Sequence, residues 1–374
     1  RSIKRINIQL LRLSQICFAN TEVRLAEDRK LKRSDCPKEL MRSLIRTLLS
    51  CVALTMLVRQ SNAQTVSKSK TSSAVPVAQL DASKIHTWML PPLHINEKPA
   101  KAHTQGLLVH QNGFFVTARR DDINPRRALL LWLRCNPSSQ KENCNKSKRT
   151  WTKIWDITPT SQPASWSGML DHPGGFDSDG ENLWIPISQS RRNSKTIVRK
   201  FSIRSLIDKS DATPTESITI NDHIGAIAVS RSPKRLFGAN WDTLLAYELS
   251  VDGNPMHHYE RNSFIRNLPN WSIAVQDWKV HEGFLVASGL DKSSKLPASR
   301  ARSLIQLINV KTRQITAELR LPRRASGNFT REGMAVFNEH IWLLPDDLEE
   351  ENKLYRFSLN ELLKVGRESL RVKD

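Results

Sequence analysis

Five times along this chain the same unit recurs: a short apolar strand, a polar turn, and a second apolar strand. The copies are 103–119 (HTQGLLVHQNGFFVTAR), 172–188 (HPGGFDSDGENLWIPIS), 223–241 (HIGAIAVSRSPKRLFGANW), 275–289 (VQDWKVHEGFLVASG) and 331–347 (REGMAVFNEHIWLLPDD). Aligning Gln105, Gly174, Gly225, Gln276 and Glu332 gives spacings of 69, 51, 51 and 56 residues. A period near fifty built from β units is the mark of a propeller, in which each blade is a four-stranded sheet. Two further strand-like segments follow each of the first four copies, from ALLLWLRC and TWTKIWDI after the first to SLIQLINV and QITAELRL after the fourth. The fifth copy is followed only by KLYRFSL, at 353–359, and HTWMLPP at 86–92 stands free ahead of the first copy. The sequence therefore predicts an all-β propeller of five blades over 85–360, closed by an N-terminal strand that hides the sheet edges. A sixth blade, hidden in the segment before 85, and a β-sandwich are the alternatives; a sandwich does not need similar units at near-constant spacing.

Rotation relates the repeats, so equivalent positions form rings around the central channel. One ring places His103, His172 and His223 at the start of three successive inner strands. The next holds Gln105, Gly174, Gly225, Gln276 and Glu332, with Asp277 adjacent, and the returning strands bring Arg119, Ser188, Trp241 and Asp346 to the same mouth. His103, Gln105, His172, His223, Trp241, Gln276, Asp277 and Glu332 are the expected ligand-binding set, for a small molecule, peptide or envelope partner. His103, His172 and His223 are a candidate set for a divalent transition metal, since neutral imidazole suits Zn, Cu and Fe. Glu332 and Asp277 are the candidate acid–base groups. The plainer alternative is that each histidine hydrogen-bonds the neighbouring blade. No Gly-rich phosphate loop, nucleophile elbow or HExxH helix is present.

Met41 opens a basic segment, the twelve apolar residues 47–58 follow, and Ser61 and Ala63 stand at the positions a signal peptidase reads. Residues 41–63 read as a secretory signal, 1–40 as an upstream extension, 64–84 as a flexible tether and 361–374 as a charged tail. The apolar run is too short for a transmembrane helix. It also continues past Cys51, where a lipoprotein would turn polar. Beyond 63 only Cys135 and Cys144 remain, flanking a polar loop, which suits a disulfide in a secreted or periplasmic protein.

The whole chain carries a formal charge of +20; residues 1–63 hold 13 basic and 5 acidic side chains, leaving +12 after cleavage. That excess is scattered among turns, with no continuous basic face, so no nucleic-acid partner is expected. A monomer is. Asn145, Asn270 and Asn328 begin glycosylation triplets, which matter only in a eukaryotic secretory route.

The segments His103-Thr104-Gln105-Gly106-Leu107, Gln276-Asp277 and Arg331-Glu332-Gly333-Met334 resemble the five-bladed propeller of plant-type and bacterial glutaminyl cyclotransferases. The HPGG, HIGAIA and QD segments are similar to an uncharacterised family of secreted propeller proteins. The cyclotransferase resemblance implies acyl-transfer chemistry on N-terminal glutamine, with Glu332 and Asp277 in catalytic positions. That family carries an essential carboxylate in a Gly-Glu-Gly-Leu segment of its second blade. Here the place is taken by Gly174, which removes a principal group for proton transfer.

Overall fold

In a computed structural model of the chain, residues 75–371 are described, apart from 139–149, 162–165, 244, 269–270, 272, 293–300 and 350–351. The described part is a five-bladed β-propeller. The first blade runs outward as Ala102–His110, Gly113–Arg120, Arg127–Arg134 and Lys153–Asp156. The second has an inner strand split into Leu170–Pro173 and Asp177–Ser178, followed by Asn182–Gln189, Thr196–Ser202 and Glu216–Ile220. Blade three is Ile224–Arg231, Lys234–Asn240, Leu245–Leu249 and Pro255–Glu260; blade four is Ile273–His281, Phe284–Asp291, Ser303–Asn309 and Ile315–Arg320. Blade five is Gly333–Phe337, His340–Leu344 and Asn352–Ser358, completed by His86–Leu90, which pairs antiparallel with Asn352–Ser358. The N-terminal closure expected from the sequence is thus the closure observed, and no sixth blade forms among the described residues.

Alternation along each strand is what makes a ring. Because successive side chains point to opposite faces, Phe114 and Val116 pack with Trp88 and Trp342 of blade five, while Phe115 between them packs with Phe176 and Leu183 of blade two. Five apolar clusters result, one at each blade-to-blade interface. The bulky edge-on pair Trp88–Trp342, ring centroids 5.3 Å apart, fills the closing interface. Eight of the ten tryptophans are buried, in keeping with their reading as core.

Two segments differ from the expectation. Within the presumed tether, Val77–Gln79 adds as a parallel fifth strand to the outer edge of blade four, beside Ile315–Arg320. The presumed charged tail forms the helix Asn360–Arg371, which buries Leu362 and Leu363 in the cluster between blades four and five. Both segments are too polar to signal structure alone; they are recruited by an exposed sheet edge and an apolar seam that other parts of the chain build. The remaining expectations for 1–74, and for Cys144 as partner of Cys135, lie outside the described residues. Among the described residues no helix is long and apolar enough to cross a membrane.

Candidate functional site

The ring position used to align the repeats is a place where the strands irregularly register. Pairing slips between Thr104 and Gly106, between Ile224 and Ala226, and between Val275 and Asp277, leaving Gln105, Gly225 and Gln276 as bulge residues. A bulge turns the residues before it away from the regular ladder, and here it delivers the start of each inner strand to one mouth of the channel. Below the bulges the inner strands approach so closely that side chains are excluded: a Cβ on Gly174 would lie 2.4 Å from the Gly225 carbonyl oxygen, and one on Gly333 would lie 2.7 Å from the Gly106 carbonyl carbon.

His103, on the first inner strand, faces two carboxyls. Its Nδ1 is 2.6 Å from Asp347 Oδ1 and its Nε2 is 3.6 Å from Glu332 Oε1. Burial alone would disfavour the imidazolium, but the Asp347 hydrogen bond and the Glu332 charge outweigh it and raise the His103 pKa. Asp347 moves the opposite way, because bonding to His103 outweighs its own burial. Glu332 is only 5% exposed, and burial pushes its carboxyl up to about 7 against the opposing charges of His103 and Arg331. Arg331 Nε lies 3.1 Å from Glu332 Oε1. None of the hydrogen bonds formed among the described residues ends on the Glu332 carboxyl.

The other two histidines lie beside this group but are otherwise engaged. Arg119, clamped by Asp121 through Nε and Nη2 at 2.6 and 3.0 Å, donates from Nη1 to His172 Nδ1 at 2.7 Å. Burial, then the charges of His223 and Arg119, hold His172 well below the ordinary imidazole value, so it is neutral. His223 donates from Nδ1 to the carbonyls of Gln189 and Arg191, at 2.9 and 3.1 Å, and burial lowers its pKa too. Trp241 stacks on His172, centroids 5.8 Å apart, and leans on His223 at 4.6 Å, giving the mouth an aromatic wall.

The three histidines are therefore not assembled into one ligand set. Among the described residues, the side chains whose ligand atoms converge, within 4.8 Å of one another, are His103, Glu332 and Asp347. One imidazole and two carboxylates suit a first-row transition metal. Arg331 already stands against Glu332, however, so the group has its counter-charge without a cation.

Asp277 is separated from the mouth. It is wholly buried; Oδ1 meets Lys279 Nζ at 2.6 Å and the Trp278 amide at 2.8 Å, and Oδ2 accepts from the Met334 amide at 2.9 Å. Lys279 Nζ also donates to the Phe176 carbonyl at 2.6 Å, so the pair ties blades two, four and five together across the axis. Burial pushes the Asp277 carboxyl up and the Lys279 ammonium opposes it. Gln105 and Gln276 are half-buried bulge residues whose side chains make no hydrogen bond to described residues. Asp347 was not singled out by sequence, although its neighbour Asp346 was. Consecutive aspartates diverge: Asp346 receives Arg324 at 2.6 and 2.7 Å, while Asp347 turns to His103.

The model of a family described as "Family of unknown function (DUF6454)" matches residues 161–334. No curated protein matches the sequence. Among solved structures, the glutaminyl cyclase of Myxococcus xanthus is 12% identical, with a TM-score of 0.45, over 76% of this chain and 99% of its own. A glycosyl hydrolase from Bacteroides ovatus is 11% identical, with a TM-score of 0.40, over 70% and 84%. A luciferin-regenerating enzyme is 11% identical, with a TM-score of 0.38, over 69% and 77%.

Proposed function

We propose that the protein binds a small polar molecule or peptide at the channel mouth formed by His103, Glu332, Asp347, Arg119 and Trp241. The observation that carries this reading is the largely buried Glu332 carboxyl at the mouth, with Arg331 Nε at 3.1 Å and His103 Nε2 at 3.6 Å beside it. An ionised carboxylate only accepts hydrogen bonds, so an amide N–H or ammonium of a ligand would donate to it here. Trp241 with His172 and His223 offers a flat apolar wall for the rest of such a molecule. The test is a thermal-shift and NMR screen of amino acids, dipeptides, glutaminyl peptides and sugar acids. Saturable binding that weakens at least tenfold in both Glu332→Gln and Trp241→Ala supports the reading. Binding indifferent to both substitutions, or none at all, overturns it.

A second reading is catalytic. Glu332, with a pKa of about 7 and His103 beside it, is matched to proton transfer near neutral pH. It can take a proton from an attacking group and return it to a leaving one, as acyl transfer of the cyclotransferase kind requires. Loss of turnover of a glutaminyl peptide in Glu332→Gln, with binding retained, would establish it. In either case the protein acts as a monomer outside the cytoplasm, secreted or periplasmic. The support for export is the signal-like segment 41–63 and the spacing of Cys135 and Cys144. N-terminal sequencing of the exported protein tests this, and finding 1–40 attached would sink it.

A further inference from the structure

At the end of the ring opposite His103, the hairpin turns of all five blades surround a second opening. Seven residues of strand separate His103 from His110, about 23 Å, and the Asp277–Lys279 pair lies between the two openings. The second opening is a cavity of about 980 Å3 with Asp177 and Lys279 at its floor. Both floor groups are committed. Lys279 bonds Asp277 and the Phe176 carbonyl, and Asp177 Oδ2 accepts from the amides of Val229 and Val280, at 2.9 and 3.4 Å.

The charge around this cavity is one-sided. Arg235 and Arg367 on its wall are neutralised by Glu248 and Glu282. Arg231, at the end of the third inner strand, and Lys311, in the turn after Ser303–Asn309, also line it. Neither has an ion pair or a side-chain hydrogen bond among the described residues. The ring of His281 also lines the cavity, with its Nε2 atom sealed from solvent and without a hydrogen-bond partner. On a convex surface two solvated cations would mean little. Within a recess, low-dielectric walls focus their field and concentrate anions. The volume lies at the upper end of the range for organic ligands, roughly 300–1,000 Å3, and is far more than a single inorganic ion needs.

We propose that this second cavity binds a small organic polyanion carrying two or more carboxylate or phosphate groups, held by Arg231 and Lys311 beside the His281 ring. The site is separate from the His103 mouth and does not depend on the reading given to that mouth.

The test is calorimetry on the full chain at low salt with two probes, citrate and tripolyphosphate, which separate a carboxylate source from a phosphate one. One-site binding of at least one probe is expected. It should weaken at least tenfold in R231Q/K311Q, persist in Glu332→Gln, and persist in Lys98→Gln/Lys209→Gln, which removes the same charge outside the cavity. Failure of both probes at millimolar concentration overturns the proposal. So does equal weakening by the Lys98/Lys209 pair, which would mark attraction to the net positive charge alone. In the unaltered chain, the His281 ring resonances should move on titration with the bound probe; if they stay fixed, the proposal also fails.

Discussion

His103 and Asp347 stand 244 residues apart in the chain and meet through a 2.6 Å hydrogen bond between Nδ1 and Oδ1. The bond joins the first blade to the loop that ends the second strand of the fifth, across the interface where the ring closes. It also fixes which imidazole nitrogen is left for Glu332. With Nδ1 held by Asp347, Nε2 is the atom turned to the buried carboxyl. Electrostatics at the mouth are thus set by closure of the ring.

Asp347→Asn should lower the His103 pKa. The substitution removes the negative charge and leaves only a neutral amide oxygen to accept from Nδ1, so the burial that favours the neutral ring gains weight. NMR titration of the His103 ring protons reads this directly; an unchanged His103 pKa would show that Asp347 has no hold on it.

The contribution of Glu332 to stability should fall as pH rises from about 5 to about 8, against the buried neutral histidines His172 and His223, whose contribution rises there. The native Glu332 carboxyl titrates at about 7, against 4.5 ordinarily, so within that window the folded protein keeps a proton that the unfolded chain has released. The raised pKa of His103 acts in the same direction, since its stabilisation is lost as pH rises through the folded value. The Glu332 contribution is at most about 3 kcal/mol across the window. Glu332→Gln should therefore raise the urea midpoint at pH 8 relative to that at pH 5.5, compared with the same difference in the parent. Equal slopes in both proteins would refute the assignment.

Gly174→Ala and Gly225→Ala should differ sharply, although both occupy the same ring position. At 174 the new methyl would meet the Gly225 carbonyl oxygen at 2.4 Å, a backbone atom with little freedom to yield; at 225 the nearest atom is 3.8 Å away. We expect a loss of about 2–3 kcal/mol or failure to fold for the first, and a change within about 1 kcal/mol for the second. Comparable denaturation midpoints would contradict the close strand approach.

Lys279→Met should cost about 3–5 kcal/mol, because it leaves the wholly buried Asp277 without its counter-ion. Asp277→Asn/Lys279→Met should recover a substantial part of that loss, since an amide can stay buried more cheaply than a charge. Urea denaturation of the single and double variants decides the point. A double variant as unstable as the single one would place the value of the pair elsewhere.

Sequence alone determined the blades. Apolar alternation and a period near fifty are local and repeated, so they survive without knowledge of any contact, and the spare segment at 86–92 announced the closing strand. It also located the mouth, because rotation superposes equivalent positions and His103, His172, His223 and Glu332 had to share one end of the ring. Tertiary structure decided what those residues do. Whether His172 is free or held by Arg119, whether Asp277 faces solvent or Lys279, and whether Asp346 or Asp347 reaches His103 depend on bulges and blade-to-blade distances of a few ångströms. The strand Val77–Gln79 and the terminal helix Asn360–Arg371 were hidden for a related reason. Their order comes from an edge and a seam built by residues far away in the chain, and a periodic pattern carries no record of what a segment will be packed against.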